Sequence, residues 1–461
     1  MSFAVTASSD STASCHEATP KGTIAEVAKL AYPVVLQTLA ECIMHMVDTA
    51  MIGKLGTTAL GAVGFSGTWI WTLLVPFAGI ASGVQTFVSR HSGASEPKKC
   101  GAWVWHALWL TLPAITLWSV LIALFLPHLF AAIGGTSAAL QSDSVAYGWS
   151  RLPGSPALVI EFALYAFFRG VGDSRTPLIA AIIGVSVNSL VAFVLIFGHA
   201  GFPALGIAGA GLAQSLGSYI IAGVLLVAFL RRGVRERYDT APRLPTREAV
   251  RRFARTSVPI GAQWLLDMTT FALFTSLVAR MGTTAMAASQ AMLQLLSLSF
   301  MQAVAISTAA GTLIGKYLGA GDLEAASRSY RSSVALALGL AGIVALLFLC
   351  APETLLGLFA DDDAVLSMAR PLLGLGAFFQ VVDALGIVAA GSLHGAGDTR
   401  WPLMLQATLA WFVRLPAVYF GAFVLGQGVL GAWGGELAYV MLLGGVLMRR
   451  FRTGQWQTVS I

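Results

Sequence analysis

Charged side chains are scarce in this chain. They make up 11% of its 461 residues, where a soluble domain carries roughly 25%. Together with a 56% apolar content, that scarcity excludes an ordinary water-soluble globular protein and points to a chain that lives in lipid. Cysteine is also sparse. Cys15, Cys42, Cys100 and Cys350 are scattered and form no CxxC pair, so neither a metal cluster nor a disulfide framework is expected. The first 22 residues hold no apolar run of the kind a cleavable signal carries. Polar and Ser/Thr-rich, residues 1–22 read as a disordered cytoplasmic tail.

What the chain does have is long apolar runs. A membrane helix needs about 17–25 such residues. Twelve stretches qualify, at about 26–50, 57–87, 102–126, 141–167, 176–198, 204–230, 254–279, 284–313, 330–350, 364–391, 402–424 and 428–448. Connections are short except for 231–253, which is polar and Arg-rich.

Basic residues divide unevenly between the two sides this topology defines. One side collects 23 of the 28 Lys and Arg, among them Arg90, Arg169, Arg175, Lys316, Arg400, Arg449 and the whole linker set from Arg231 to Arg255. The other receives Lys54, Arg280 and Arg370, with an acidic loop at Asp361, Asp362 and Asp363. The positive-inside rule then places both termini and the linker in the cytoplasm. The net charge of +6 is therefore topogenic, lying near anionic membrane lipid, and is no nucleic-acid footprint.

The chain also matches itself. At a shift of 226 residues Pro33, Gln37 and Glu41 fall on Pro259, Gln263 and Asp267, Gly56-Thr57-Thr58-Ala59 on Gly282-Thr283-Thr284-Ala285, and Gly93-Ala94 on Gly319-Ala320. At 225, the Gly170–Pro177 run falls on Gly395–Pro402; at 222, Gly206, Gly209 and Ala210 fall on Gly428, Gly431 and Ala432. Each half holds six spans, an even number, so both insert with the same orientation. The expected fold is an all-α polytopic membrane protein of twelve transmembrane helices. Its two six-helix lobes are related by a pseudo-two-fold axis along the membrane normal. The corresponding divisions are an N-lobe at 23–230, a basic linker at 231–253, a C-lobe at 254–450 and a cytoplasmic tail at 451–461.

Seven ionisable side chains fall within these spans: Glu41, Asp48, Glu161, Asp267, Asp383, Arg414 and Glu436. A charge at the bilayer centre costs at least ~3 kcal/mol, so six acids there imply a proton, a metal cation or a cationic substrate. Gln37, Glu41, His45 and Asp48 lie on one face of the first helix. Gln263 and Asp267 repeat the pattern in helix 7, with Gln290 and Gln294 in helix 8 as cavity candidates. Gln380 and Asp383 lie on helix 10, and Asn188 is a polar residue of helix 5. An arginine is the ordinary structural partner for a buried acid, but Arg414 alone cannot neutralise Asp48, Asp267 and Asp383. Glu161 lies about two turns before Arg169 and is suited to local pairing. The Gly-rich turns at 170–177 and 395–402 lack GxxxxGK[ST] and follow no strand, so they read as tight turns and not phosphate loops.

Several of these motifs bring a family into view. Met46-Val47-Asp48-Thr49 followed by Gly53 and Leu55-Gly56, the turn pair at 170–177 and 395–402, and Gln380-Val381-Val382-Asp383-Ala384 with Ala389-Ala390-Gly391 resemble signatures of the multidrug and toxic compound extrusion (MATE) transporters, NorM-like bacterial branch. The resemblance spans nearly the whole chain. It implies an antiporter, not an enzyme, coupled to H⁺ or Na⁺ and needing no cofactor, in a V-shaped pair of lobes. The substrates would be small organic cations or amphipathic drugs, and the protein a monomer in the inner membrane. By motif, Asp48 with Asn188 would serve the N-lobe coupling ion, and Asp267 with Asp383 the C-lobe ion or substrate. Three departures stand out. Ala192 occupies a position where a second helix-5 acid is common, His394 replaces an Arg, and Glu41 with His45 adds acid-base groups that match no family site. These favour H⁺ at Glu41, His45 and Asp48, with Na⁺ at Asp48, or at Asp267 and Asp383, as the rival. A flippase for lipid-linked oligosaccharides in the same superfamily would want a cationic cavity, a major-facilitator sugar porter a basic glycine-rich loop between helices 2 and 3, and a membrane-embedded transferase a catalytic loop. Six intramembrane acids against one or two arginines disfavour the first, residues 89–99 lack the loop of the second, and the outer loops are short and bland for the third; the flippase and the transferase stand as the alternatives to the antiporter.

Overall fold

The computed structural model describes residues 21–133, 138–357 and 363–459. Nearly all of the tail expected at 1–22 thus lies outside the described residues, as do Asp361 and Asp362 of the acidic loop. The last two residues of that tail are held against the helix Leu323–Cys350 and its cap: Lys21 Nζ lies 3.7 Å from Asp322, and Ser332 Oγ donates to Gly22 O at 2.7 Å.

Twelve helical spans follow in order: α1 Ile24–Gly53, α2 Thr57–Gly93, α3 Cys100–Ile133, α4 Ala138–Arg151 continued by Ser155–Gly170, α5 Arg175–Phe197, α6 Gly206–Leu230, α7 Arg247–Ala279, α8 Thr283–Gly319, α9 Leu323–Cys350, α10 Asp363–Ala396, α11 Arg400–Val424 and α12 Gly428–Arg452. Ten of them are long and apolar enough to cross a membrane; α4 is interrupted and α7 opens on arginines. The helices overrun the hydropathy limits because hydropathy marks only the lipid-facing part, whereas capping marks the ends. The Thr246 hydroxyl accepts from Ala249 N at 3.2 Å ahead of α7, and Asp322 Oδ1 from Ala325 N at 2.9 Å ahead of α9.

The break in α4 follows from Pro153 and Pro156, which cannot donate to the helical ladder. Freed carbonyls inside a membrane need new partners. Ser215 Oγ of α6 donates to Ser150 O and Arg151 O at 2.9 and 3.0 Å, and Tyr219 OH to Pro153 O at 2.9 Å.

Helices α2 and α8 cross where the two lobes meet. A β-carbon on Gly93 would stand 1.7 Å from Lys316 O; one on Gly319 would stand 2.0 Å from Arg90 O. Gly93 and Gly319, and Arg90 and Lys316, are related by the same 226-residue shift, so each contact is the image of the other. This reciprocity places the pseudo-two-fold axis between α2 and α8. Only glycine lets the two backbones approach so closely.

The first helix of each half reaches into the opposite lobe. Val27 and Ala31 of α1 belong to an apolar cluster otherwise built from α8, α9, α10, α12 and the segment after α12, and Tyr317 OH of α8 donates to both Glu26 oxygens at 2.7 and 2.8 Å. In return, Phe253 of α7 lies in the N-lobe cluster, and a β-carbon on Gly261 would meet Pro76 O at 2.3 Å. The segment after α12 packs down as well. Trp456 is 1% exposed and stacks on Phe451 at 4.6 Å, while Arg90 of α2 donates to Val459 O at 2.9 Å.

These inter-lobe bonds lie at the end that carries the linker. Gln85 Nε2 adds two more, to Thr308 O and Thr312 Oγ1, each at 2.9 Å. At the other end, a β-carbon added to Gly56, Gly64 or Gly282 would meet no atom within 4 Å. The inter-lobe hydrogen bonds thus gather at the basic end, while these three glycines at the opposite end have no packed neighbour. Gly93→Val and Gly319→Val are each expected to lower stability in detergent by about 1–3 kcal/mol and by similar amounts, whereas Gly64→Ala stays within about 0.5 kcal/mol of wild type. Thermal unfolding of the three purified variants checks this.

Candidate functional site

In the N-lobe, α1 presents Asp48 to α5 and α6. Asp48 is 4% exposed. Asn188 Nδ2 donates to both of its oxygens at 3.2 Å, and Gln214 Nε2 to Oδ2 at 3.4 Å. Tyr147 OH of α4 holds the Gln214 carbonyl at 2.7 Å. No lysine, arginine or histidine forms an ion pair with Asp48 among the described residues. Its anionic form rests on neutral amides, and the buried Asn188 Oδ1 beside it has no hydrogen-bond partner. Ala192, one turn beyond Asn188, is 1% exposed and adds no oxygen.

Nearer the basic end, Gln37 donates to Glu41 Oε1 at 3.0 Å and accepts from Arg169 Nη2 at 2.9 Å. Arg169 lies over the Tyr165 ring at 5.2 Å. The charge pattern assigns Arg169 to the cytoplasmic surface. Its side chain instead turns inward across to α1, because Gln37 offers it an acceptor. The local ion pair expected between Glu161 and Arg169 does not close within 4 Å among the described residues; Glu161 lies within electrostatic reach of Glu41, Arg151 and Arg169. His45 is exposed on α1, on the same helical face as Glu41 and Asp48. The four residues Gln37, Glu41, His45 and Asp48 therefore form one polar line along α1.

The C-lobe is built differently. Arg414 grips Glu436 of α12 with two bonds, Nε to Oε2 at 2.7 Å and Nη2 to Oε1 at 2.6 Å, and donates from Nη1 to Thr270 Oγ1 at 2.5 Å. Its guanidinium lies 5.1 Å from the centre of the Tyr439 ring. A π-helical turn at Ala410–Arg414, just before Pro416, widens α11 and carries the arginine. Asp267 of α7 accepts from Gln406 Nε2 of α11. Asp383 of α10 is within electrostatic reach of Glu436, Asp267 and Arg414. Among the described residues Glu436 is the one carboxylate paired with this guanidinium; Asp267 and Asp383 form no ion pair with it.

Other polar candidates fall outside this arrangement. Gln263 donates to Thr399 O at 2.9 Å and pairs with His394 Nε2 at 3.0 Å. It is buried at the basic end and does not line a cavity with Asp267. Gln380 is buried and donates to Ala341 O at 3.3 Å. Gln290 and Gln294 are exposed on α8. The residues that sequence reasoning passed over are Tyr147, Gln406 and Tyr439; Thr270 lies on the polar stripe that the helix-7 spacing predicts with Gln263 and Asp267, and Gln214 is the repeat counterpart of Glu436. Gln214 and Glu436 each touch the central charge of their own lobe. Among the described residues no group of three or more His, Cys, Asp and Glu is arranged to hold a metal.

Comparison with known proteins follows the same division into halves. A family model described as MatE matches residues 33–194 and 259–420. The chain is 28% identical over 447 residues to the probable multidrug resistance protein NorM of Thermotoga maritima, across 95% of this chain and 94% of that one. It is 30% identical over 439 residues to the corresponding protein of Burkholderia mallei, across 93% and 92%. A solved structure described as the outward-facing conformation of a multidrug resistance MATE family transporter of the MOP superfamily has a TM-score of 0.86 at 19% identity, across 95% of this chain and 98% of that one. A MOP superfamily transporter from Pyrococcus furiosus, described as having a binding pocket of reverse polarity, has a TM-score of 0.85 at 19% identity, across 95% and 98%.

The Arg414–Glu436 pair has a consequence for stability. Glu436→Ala leaves a buried guanidinium uncompensated and is expected to cost about 3–5 kcal/mol, whereas replacing both partners with Met and Leu recovers most of the loss. Denaturant unfolding of the single and double variants reads the difference.

Proposed function

This chain belongs to the MatE family, and we propose that it acts as a cation-coupled antiporter exporting amphipathic, mostly cationic organic compounds. Asp48 carries the reading: a buried carboxylate on a polar helix face, held by two amides and paired with no cation. A structural ion pair would have looked like Arg414–Glu436 in the other lobe. A carboxylate left open in this way serves one positive partner at a time. Binding of the inward ion then competes with substrate, and exchange follows. The names of the relatives, multidrug resistance proteins, agree with a broad organic substrate class.

We favour H⁺ as the coupling ion. Asn188 and Gln214 turn N–H groups, not oxygens, toward Asp48, and Ala192 contributes no ligand, whereas Na⁺ prefers several oxygens held together. Glu41, His45 and Asp48 form a line along which a proton can pass between sites. In the C-lobe, Asp267 and Asp383 share the field of Arg414 and fit an organic cation or Na⁺. With the basic end in the cytoplasm, the α2–α8 contact and the inter-lobe bonds around it lie on the inside. The protein is then a multi-pass inner-membrane monomer with cytoplasmic termini, and alternates by rocking its lobes about the α2–α8 contact.

Transport by the full-length protein in proteoliposomes tests this reading. Substrate efflux is expected to follow an imposed pH gradient in sodium-free liposomes; efflux that requires sodium and ignores the pH gradient overturns H⁺ coupling. Asp48→Asn is expected to abolish coupled efflux at normal expression, and His45→Ala to move the pH optimum. Asp267→Asn and Asp383→Asn are expected to be non-additive, the double variant losing much less than the sum of the single losses, since neighbouring carboxylates titrate as a unit. Strict additivity would place the two acids in separate sites.

A further inference from the structure

At the basic end a cavity of about 600 Å³ opens between the start of α7, the turn before α11 and the last described residue, Val459. Arg251, Arg252, Arg255 and Arg400 line it, together with Glu248 and Asp398. Asp398 is already neutralised by Arg450, which lies 3.0 Å away, outside the cavity lining. None of the four arginines has a carboxylate within 4 Å among the described residues. Two of them are positioned by other contacts: Arg400 Nε donates to Arg255 O at 3.3 Å, and Arg252 lies 6.0 Å from the centre of the Trp103 ring. All four are exposed. Four cations against one free acid, Glu248, form a concentrated positive site beyond what topology requires.

The walls above the cavity are apolar. Arg251, Arg255, Val258 and Leu265 share one face of α7, and Arg400, Met404 and Trp411 one face of α11. Val258 and Leu265 are 44% and 40% exposed, Met404 and Trp411 67% and 51%. The two helices adjoin at the cavity, where Thr399 Oγ1 donates to Thr256 O at 2.7 Å. A positive cavity that continues into two exposed apolar stripes matches a molecule with an anionic phosphate head and hydrocarbon tails. We propose that this cavity is a specific binding site for an anionic phospholipid, whose phosphate is held by Arg251, Arg255 and Arg400 and whose acyl chains run along α7 and α11. Guanidinium forks suit phosphate oxygens, and basic cavities between membrane helices recognise such headgroups. A free phosphate would use the arginines but leave the apolar stripes idle. The site depends on the membrane fold alone and stands whether or not the antiport reading holds.

Native mass spectrometry of the delipidated, detergent-solubilised full-length protein tests it, with phosphatidylglycerol and phosphatidylcholine of matched chains as probes. Wild type is expected to retain phosphatidylglycerol at least about tenfold better, as several basic contacts imply. Millimolar inorganic phosphate should not displace the lipid. The triple variant Arg251→Gln, Arg255→Gln, Arg400→Gln should fall to the phosphatidylcholine level. Arg231→Gln, Arg235→Gln, Arg237→Gln removes the same charge from the linker and should keep the preference. Should the first triple variant fail to fold, the single exposed change Arg251→Glu should still reduce retention severalfold. Equal retention of both lipids, displacement by phosphate, undiminished binding by the cavity variant, or equal loss in the linker variant would each overturn the proposal.

Discussion

The rest of the structure depends on one close contact, the crossing of α2 and α8 at Gly93 and Gly319. Where a β-carbon would collide with a carbonyl oxygen of the facing helix, neither residue can be anything larger without the lobes moving apart. Because the two glycines are images of one another, the contact lies on the pseudo-axis and fixes both lobes at once. Everything joined at the basic end is arranged around it: the Gln85 bonds to α8, the Glu26–Tyr317 bonds and the Arg90–Val459 bond. The exchange of α1 and α7 between lobes adds a second tie, since each helix has its inner end packed on one lobe and its polar residues facing its own. These two helices therefore link the lobes, and α1 carries Glu41, His45 and Asp48.

The lobes treat buried charge in opposite ways. In the C-lobe a guanidinium closes on Glu436 with paired bonds, and that fixed pair sets the field in which Asp267 and Asp383 lie. In the N-lobe two amides hold Asp48, one of them fixed by Tyr147, and bring no charge. A fixed ion pair is costly to disrupt once buried, so it serves as a structural and electrostatic anchor. A carboxylate held by neutral donors keeps its charge unpaired. The two arrangements grew from the same repeat, as the correspondence of Gln214 and Glu436 records. A neutral amide in one half and an acid in the other was enough to give the lobes different electrostatics.

Outside the transport path, the basic end gathers arginine beyond the requirement of orientation. The same residues that set topology by their number also surround a cavity by their position. The C-terminal segment, read from sequence as a plain tail, buries Trp456 against Phe451 and brings the last described carbonyl to Arg90, so this face is more closely built than a loop surface.

Composition and periodicity were sufficient for the broad fold. Too few charges for water, twelve apolar runs and a self-match at nearly constant offset left little but two similar helical lobes in lipid, because the cost of exposing backbone to hydrocarbon removes most other solutions. The individual acids were also legible, since a charge in an apolar run is conspicuous whatever surrounds it. Partners were not. Helical spacing tells which residues of α1 share a face, but not that Asn188 and Gln214 meet Asp48, or that Arg169 turns inward to Gln37 when its neighbours mark it as a surface residue. Nor does it reveal that Gln263 is spent on Thr399 and His394. Those pairings join residues more than a hundred positions apart. Local sequence fixes periodicity within a helix, while rotation and depth between helices follow from packing at sites such as Gly93 and Gly319, which only the assembled structure brings together.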